Sequence, residues 1–175
     1  MIFKLDEAMI VLERTPAILE NLLIGLPNSW LHTNEGEGSW TVTEVVAHLT
    51  EGERTNWLPR LEMILEEGIG RTFPPFNRNA HLKAAEDRDY PIETILAAFR
   101  RERMGSLKKL KALVHSEEQL EAAGLHPDFG VVKARELIST WVVHDLTHMA
   151  QIMRIMGGRY RADVGPWIAY LGLLK

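Results

Sequence analysis

Seven histidines are present, and two of them have the spacing of a metal-binding pair. His144 and His148 are four residues apart, so a helix places both imidazoles on one face. At about 100° per residue, both fall within roughly 60° of Leu137, on the same stripe as Trp141 and Ile152. Because that stripe is apolar, we expect the two rings to point into the protein core.

Two inward imidazoles one turn apart need partners for four ring nitrogens. A shared metal ion takes one nitrogen from each ring and leaves the other for an outer acceptor. His48 is the best third ligand, because it borders the apolar side of a predicted helix and Gly52 leaves room one turn on. We therefore predict a divalent metal held by His48, His144 and His148. Three protein ligands leave a coordination position open, which is typical of catalytic metal.

Histidine ligands do not select one metal. Zinc or nickel are the leading candidates, and iron, cobalt or manganese remain alternatives. A zinc metalloprotease would carry glutamate after the first histidine, whereas this segment has Asp145. Asp145 also lies about 80° from the centre of the apolar stripe, and the third histidine is upstream instead of downstream. Both differences disfavour a protease of that class.

Two further polar residues lie one turn from the histidines. Glu51, three residues after His48, is a candidate general base or additional ligand, and a solvated carboxylate is an equally consistent interpretation. Gln151, three residues after His148, falls on the inward side of its helix. It could line the pocket or hydrogen-bond to backbone at the edge of the core.

A long connection over residues 68–90 could cover the pocket, since loops of this length are often functional. Its residues 73–76, Phe-Pro-Pro-Phe, could set substrate choice, and Arg71 and Arg78 could bind a substrate carboxylate. We expect the remaining histidines to lie at the surface. They are His32, His81, His115 and His126, of which His126 could also border a pocket.

Composition limits the classes of protein to consider. The 175 residues, 46% hydrophobic and 25% charged, fit a single globular domain over residues 1–175. A net charge of −4 argues against nucleic acid as a partner. The absence of cysteine excludes thiolate metal sites and a cysteine nucleophile. Asp6 and Glu7 stand where a signal peptide is apolar, and no apolar run is long enough for a membrane span, so we expect a cytoplasmic protein.

The hydrophobic periodicity predicts four long helices and a short fifth one, with no strand. The helices are predicted over residues 5–24, 41–67, 89–115, 133–156 and 165–174. Thr15 and Pro16 predict an interruption of the first helix, with Thr15 as a new cap. A capping box of Thr41 and Glu44 opens the second helix, and Pro59 should kink it. The predicted fold is an all-α four-helix bundle with an additional short C-terminal helix.

Three stretches carry a family resemblance. They are SWTVTEVVAHL at 39–49, WVVHDLTHMAQI at 141–152, and Tyr160 followed by VGPW at 164–167. In their order and spacing they resemble the DinB-like, or YfiT-like, family of metal-binding four-helix bundles, over nearly the whole chain. The resemblance implies that His48, His144 and His148 bind a divalent metal. It also implies a homodimer.

The family resemblance implies less about the reaction, because some members resemble thiol transferases and others hydrolases. The leading hypothesis is an enzyme whose metal activates water or a low-molecular-weight thiol to act on a small molecule. Since the chain has no cysteine, the thiol would be a cosubstrate. A non-catalytic metal-binding or stress-sensing bundle is the alternative, and an interaction domain whose histidines have lost their role is a third possibility.

Overall fold

The frame of the protein consists of long helices joined by short helical turns. The computed structural model describes residues 3–84 and 90–175. Its α-helices are α1 (Leu5–Leu23), α2 (Asn28–Leu31), α3 (Val42–Gly52), α4 (Leu58–Glu66), α5 (Ala80–Ala84), α6 (Ile92–Leu113), α7 (Glu117–Glu121) and α8 (Ala134–Gly158). A π-helical turn (Glu53–Trp57) joins α3 to α4, so the two form one arm of the bundle. The predicted four-helix architecture is confirmed. Within the described ranges, no helix is both long and apolar enough to cross a bilayer.

The predicted interruption of the first helix is wrong, because α1 runs unbroken through Pro16. Proline lacks the N–H that would bond to the carbonyl four residues earlier. Here the free carbonyl of Leu12 accepts instead from Nη1 of Arg103 at 2.8 Å. The Thr15 hydroxyl does not cap a new helix; it donates to Oδ2 of Asp145 at 2.7 Å. Tertiary contacts therefore satisfy the groups that would otherwise end the helix.

The second predicted helix begins where expected but is not continuous. Thr41 and Glu44 form the predicted capping box, with the Thr41 side chain accepting from the Glu44 amide. The irregularity lies before Pro59, in the π-helical turn, and Pro59 falls in the first turn of α4. A proline is tolerated there because the N–H groups of the first helical residues have no acceptor within the helix. The extra residue of a π turn also rotates the side chains that follow it.

A β-hairpin corrects the prediction that the chain contains no strand. Strands β1 (Ala123–His126) and β2 (Gly130–Lys133) pair antiparallel just before α8. Gly130 has φ 71°, a left-handed conformation that favours glycine and closes the turn. The strands are only four residues long, too short for a clear alternating pattern. In the preceding connection, the Phe73 amide donates to the Leu125 carbonyl at 2.9 Å, which attaches that segment to the hairpin.

Other segments differ in detail from the sequence prediction. The predicted loop over 68–90 contains a 3₁₀ turn (Gly68–Gly70) and α5, and the predicted helix start at Asp89 lies outside the described residues. α2 and α7 were not predicted. The C-terminal helix is instead two 3₁₀ segments, Gly165–Tyr170 and Gly172–Leu174.

The apolar core has two clusters, and α8 contributes to both of them. Trp141 belongs to the first cluster, which also holds Trp57, and Ile152 belongs to the second, which also holds Phe99. The residues of α8 that lie between Trp141 and Ile152 include both predicted metal-binding histidines. Buried polar side chains thus occupy the level of the bundle between the two clusters.

Candidate metal centre

The structure brings the three predicted histidines together. His48 comes from α3, and His144 and His148 come from successive turns of α8. The Nε2 atom of His144 lies 3.2 Å from Nε2 of His48 and 3.2 Å from Nε2 of His148. One nitrogen of each ring lies within 4.8 Å of the others. Three nitrogens from two helices therefore converge on one point.

The spacing of these nitrogens fits a divalent ion. With metal–nitrogen bonds of about 2.0–2.1 Å, ligand nitrogens are separated by roughly 2.8–3.4 Å between octahedral and tetrahedral angles. The observed 3.2 Å lies within that range. A neutral imidazole has one donor and one acceptor, so three Nε2 atoms facing each other cannot all be satisfied by mutual hydrogen bonds. The donor set fits a metal better than it fits a self-contained cluster.

The orientation of His148 is fixed from its outer side. Its Nδ1 lies 2.8 Å from Oε1 of Gln151, one turn further along α8. Because the amide oxygen only accepts, Nδ1 of His148 carries the proton and Nε2 presents its lone pair to the centre. Gln151 therefore lies at the centre, as one of its two sequence interpretations anticipated.

Burial keeps the histidines neutral. Loss of solvent, with smaller contributions from the neighbouring histidines, lowers the pKa of His48 and of His144 to about 3. Burial also lowers the pKa of His148. At neutral pH the rings are uncharged, so each has one nitrogen with a free lone pair to which a metal can bind without displacing a proton.

Aromatic rings enclose the three histidines. The Trp40 ring lies 4.5 Å from the His48 ring, and the Trp57 ring lies 5.0 Å from the His144 ring. Phe76, in the connection before α5, lies 5.9 Å from His48. These rings limit water at the site and lower the local dielectric, which strengthens electrostatic interactions there.

The connection before α5 both anchors itself and covers the site. Phe73 is buried against the hairpin, where a Cβ added to Gly124 would come within 2.8 Å of its ring. Phe76 is the member of the Phe-Pro-Pro-Phe stretch that reaches a histidine. Arg71 pairs with Glu67 at 3.2 Å at the surface, and Arg78 is exposed. The carboxylate-binding role of both arginines stays a prediction.

The prediction that His81 lies at the surface is wrong. Its exposed fraction is 3%, and its ring packs edge-on against Trp40 at 4.6 Å and against His48 at 5.2 Å. The polar residues around it and the length of the connection gave no sign of burial. His32 and His115 are exposed as expected, whereas His126 is half-buried and stacks on Phe129.

Glu51 lies beside the centre, away from the three converging nitrogens. Its half-buried side chain lines a cavity of about 680 Å³ between α3 and α6. Glu44, His81 and Thr94 line the same cavity. A role as an additional ligand therefore has no geometric support, and its role as a base stays a prediction.

A buried ionic network adjoins the histidines, and the sequence interpretation missed it. The guanidinium of Arg103 donates to Asp145 Oδ2 at 2.5 Å, to Asp145 Oδ1 at 2.9 Å and to Glu53 Oε1 at 2.8 Å. Trp141 Nε1 and the Thr15 hydroxyl donate to the two carboxylates. The side chains of the three charged residues are fully buried. We call these five residues the ionic network.

The network pairs its charges in a region from which water is excluded. Burial alone would lower the pKa of Arg103, but hydrogen bonds and charge from Asp145 and Glu53 raise it. Burial raises the pKa of Glu53. Asp145 was excluded from the inward stripe by its angle of about 80°. Because α8 packs against neighbours on more than one side, such a residue is buried as well. Asp145 therefore contributes to the packing of the bundle and does not point at the metal centre's nitrogens.

Comparisons with known proteins agree with this architecture. The sequence profile of the DinB superfamily matches residues 11–152. A protein of Oceanobacillus iheyensis named "Putative metal-dependent hydrolase" is 28% identical over 143 residues, covering 81% of this chain and 79% of that protein. YfiT from Bacillus subtilis, described as "a probable metal-dependent hydrolase with an unusual four-helix bundle topology", shares the fold with a TM-score of 0.77. That match covers 91% of this chain and 90% of YfiT at 23% identity.

Proposed function

The chain belongs to the DinB superfamily, and from this premise we propose that it is a metal-dependent hydrolase of small molecules. His48, His144 and His148 hold a divalent ion, with zinc or nickel as the leading candidates and iron, cobalt or manganese as alternatives. The observation that carries the proposal is the convergence of three histidines, with Nε2 of His144 3.2 Å from Nε2 of each of the other two and all three ligand nitrogens within 4.8 Å of one another. The name of the Oceanobacillus iheyensis relative supports it.

Each residue around the ion has a separate task. The ion supplies the Lewis acidity that makes water a nucleophile at neutral pH. Gln151 holds the proton of His148 on Nδ1, so that Nε2 stays free to ligate. Trp40 and Trp57 limit bulk water around the rings. Glu51, on the cavity side of α3, is the proposed general base.

A second candidate function is transfer to a low-molecular-weight thiol. A divalent ion lowers the pKa of a thiol as it does that of water. The chain has no cysteine, so the thiol would come as a cosubstrate. What separates the two functions is whether turnover requires the thiol.

Metal analysis of untagged protein is the first test. We expect one divalent ion per chain in the wild type, almost none in His144→Ala, and an unchanged content in His115→Ala, which alters an exposed histidine. Wild-type protein without stoichiometric metal, even after reconstitution, would refute the metal proposal and favour an interaction domain.

Activity assays on the reconstituted protein then separate the functions. Esters, amides and halides are offered with and without low-molecular-weight thiols. Hydrolysis without thiol supports the first function, and strictly thiol-dependent turnover supports the second. A metal-loaded protein without turnover on any of these would favour the sensing alternative. Glu51→Gln should lower turnover without changing metal content, whereas Glu62→Gln on α4 should change neither.

A homodimer is part of the proposal, and the cytoplasmic location stays a prediction. The outer face of α8 exposes a stripe of apolar side chains formed by Val143, Leu146 and Met153, a surface that a second copy could cover. Sedimentation velocity should show a dimer at micromolar concentration. Leu146→Glu should dissociate it, whereas Thr147→Glu on the same helix should not. A wild-type monomer would contradict the dimer.

A further inference from the structure

The outer side of His48 lacks the partner that His148 has. Among residues 3–84 and 90–175, Nδ1 of His48 has no hydrogen-bond partner although it is buried. Both ring nitrogens of His81 are also buried and have no hydrogen-bond partner among these residues. The two rings are in edge contact, with centroids 5.2 Å apart and planes at 69°. Two adjacent buried imidazoles therefore hold three unsatisfied nitrogens between them.

No hydrogen bond joins the two rings in the structure, and a bond from Nδ1 of His48 to one nitrogen of His81 would satisfy two of these three nitrogens. A buried donor or acceptor without a partner costs free energy, because it has given up its hydrogen bonds to water. A metal-binding histidine usually donates its second N–H to an acceptor, which fixes the tautomer and the angle of the ring. For His148 that acceptor is Gln151. For His48 the buried imidazole in contact with it is His81.

We propose that His81 is a positioning residue of the metal centre, whose imidazole accepts a hydrogen bond from Nδ1–H of His48. A neutral imidazole has one nitrogen that accepts, so no charge is needed. The bond would keep the proton of His48 on Nδ1 and present Nε2 to the ion. The metal part of this inference rests on the proposed function, whereas the hydrogen bond can be measured without metal.

The position of His81 is held by its own surroundings. It is in α5 and packs edge-on against Trp40, which also lies against His48. Another face of the His81 side chain lines the cavity between α3 and α6. The His81 side chain therefore lies between this cavity and His48, a proposed metal ligand. The competing acceptor is the backbone of Arg78, which favours the protonated form of both rings, although burial lowers the pKa of each overall.

Nuclear magnetic resonance of metal-free, ¹⁵N-labelled protein tests the hydrogen bond directly. We expect a slowly exchanging, low-field Nδ1–H proton from His48, assigned by its absence in His48→Gln. His81→Leu should remove the signal, and His81→Gln, whose amide oxygen can accept, should retain it. His115→Leu is the control that leaves it unchanged. A signal that persists in His81→Leu would assign the acceptor elsewhere, to the Arg78 carbonyl, and overturn the proposal.

Metal affinity provides the second readout. In competition with a chelator, His81→Leu should weaken zinc binding about 10- to 100-fold, and His81→Gln should recover most of the loss. Cobalt-loaded His81→Gln should keep the wild-type visible spectrum, since His81 is not a ligand. A changed spectrum would make His81 a direct ligand and overturn the positioning role. If the wild type binds no zinc, the proposed function fails, and the proton signal still decides the hydrogen bond.

Discussion

Two groups of polar side chains are buried next to each other, each with members on α8, and they differ in how far the protein satisfies them. In the ionic network, both oxygens of Asp145 accept from Arg103, and Thr15 and Trp141 add further bonds. Every charge of the network is paired, although Nε of Arg103 and Oε2 of Glu53 have no hydrogen-bond partner among the described residues. In the histidine group, Nδ1 of His48 and of His144 and both nitrogens of His81 have no partner among the described residues. The three converging Nε2 atoms face only one another.

This difference separates a structural element from a candidate binding site. The ionic network links α1, α6, α8 and the π-helical turn through bonds that the chain supplies itself. Buried charges persist only when they are paired, so the network serves the packing of these elements. The histidines keep unused lone pairs at one point, at a cost in stability that a ligand from outside would offset. Substitutions in the two groups should therefore have opposite consequences for stability and for metal binding.

The largest effect on stability is expected at Arg103. Arg103→Met leaves the carboxylates of Asp145 and Glu53 buried without their cation and frees the Leu12 carbonyl beside Pro16. We expect a loss of about 3–5 kcal/mol in the free energy of unfolding, measured by urea denaturation of metal-free protein. Lys108→Met, at an exposed position of the same helix, should change it by less than about 0.5 kcal/mol.

Removal of all the charges together is the control for this interpretation. The penalty of Arg103→Met comes from the charges left behind, so replacing Glu53 and Asp145 by apolar residues as well should recover part of the loss. If the triple variant is less stable than Arg103→Met alone, the network contributes through its packing and hydrogen bonds more than through charge pairing, and the comparison with the histidines would be weakened.

The next effect concerns the histidines and depends on metal. His144→Leu removes one ligand and a buried nitrogen without a partner, so metal-free protein should change by at most about 1 kcal/mol. Wild-type protein should gain about 2.7 kcal/mol with free metal at 100 times its dissociation constant, and the variant should gain none. Thermal unfolding with and without metal measures both. A strongly destabilised metal-free variant would show that the histidines, too, serve packing.

The sequence alone predicted the parts of the fold that follow a regular helical period. The apolar period of 3.6 residues predicted the long helices, and the capping box of Thr41 and Glu44 predicted the start of α3. The spacing of His144 and His148, with their position on an apolar stripe, was enough to predict that they meet. His48 could be added because it too borders an apolar stripe. Each of these predictions depends only on the residue pattern of a single helix.

Features that depend on contacts between distant segments could not be predicted. Pro16 was expected to interrupt the first helix, because the residue that compensates for it is distant in sequence: Arg103 donates to the Leu12 carbonyl across 91 residues. Asp145 was placed off the stripe, although α8 packs on more than one side. His81 was expected at the surface, since its burial depends on Trp40 and on a long connection with no periodicity. The hairpin strands were too short to show a pattern.

The contribution of a single bond within the ionic network can be measured at Thr15. Thr15→Val keeps the shape of the side chain and removes the hydroxyl that donates to Asp145 at 2.7 Å. Since Arg103 still neutralises that carboxylate, we expect a loss of about 1–2 kcal/mol by urea denaturation, less than for Arg103→Met. Thr147→Val, exposed on α8, should be nearly neutral. A neutral result at Thr15 would mean that the guanidinium alone satisfies Asp145.

The smallest effect is expected for an ion pair of the same chemistry near the surface. Arg100 donates two hydrogen bonds to Glu20, and these bonds lower the pKa of Glu20 below its ordinary value of 4.5. Because the folded state has the lower pKa, the pair stabilises the protein above about pH 4.5, and this contribution is lost as the pH falls through the folded pKa.

Glu20→Gln should therefore cost less than about 1 kcal/mol at pH 7, because both side chains remain partly exposed to water. The difference from wild type should vanish at the acid end of a urea series run between pH 7 and pH 3. Glu13→Gln, exposed on the same helix, is the matched control. A Glu20 effect as large as that of Arg103→Met would show that burial is not what distinguishes the ionic network, because this exposed pair would then contribute as much as the buried one.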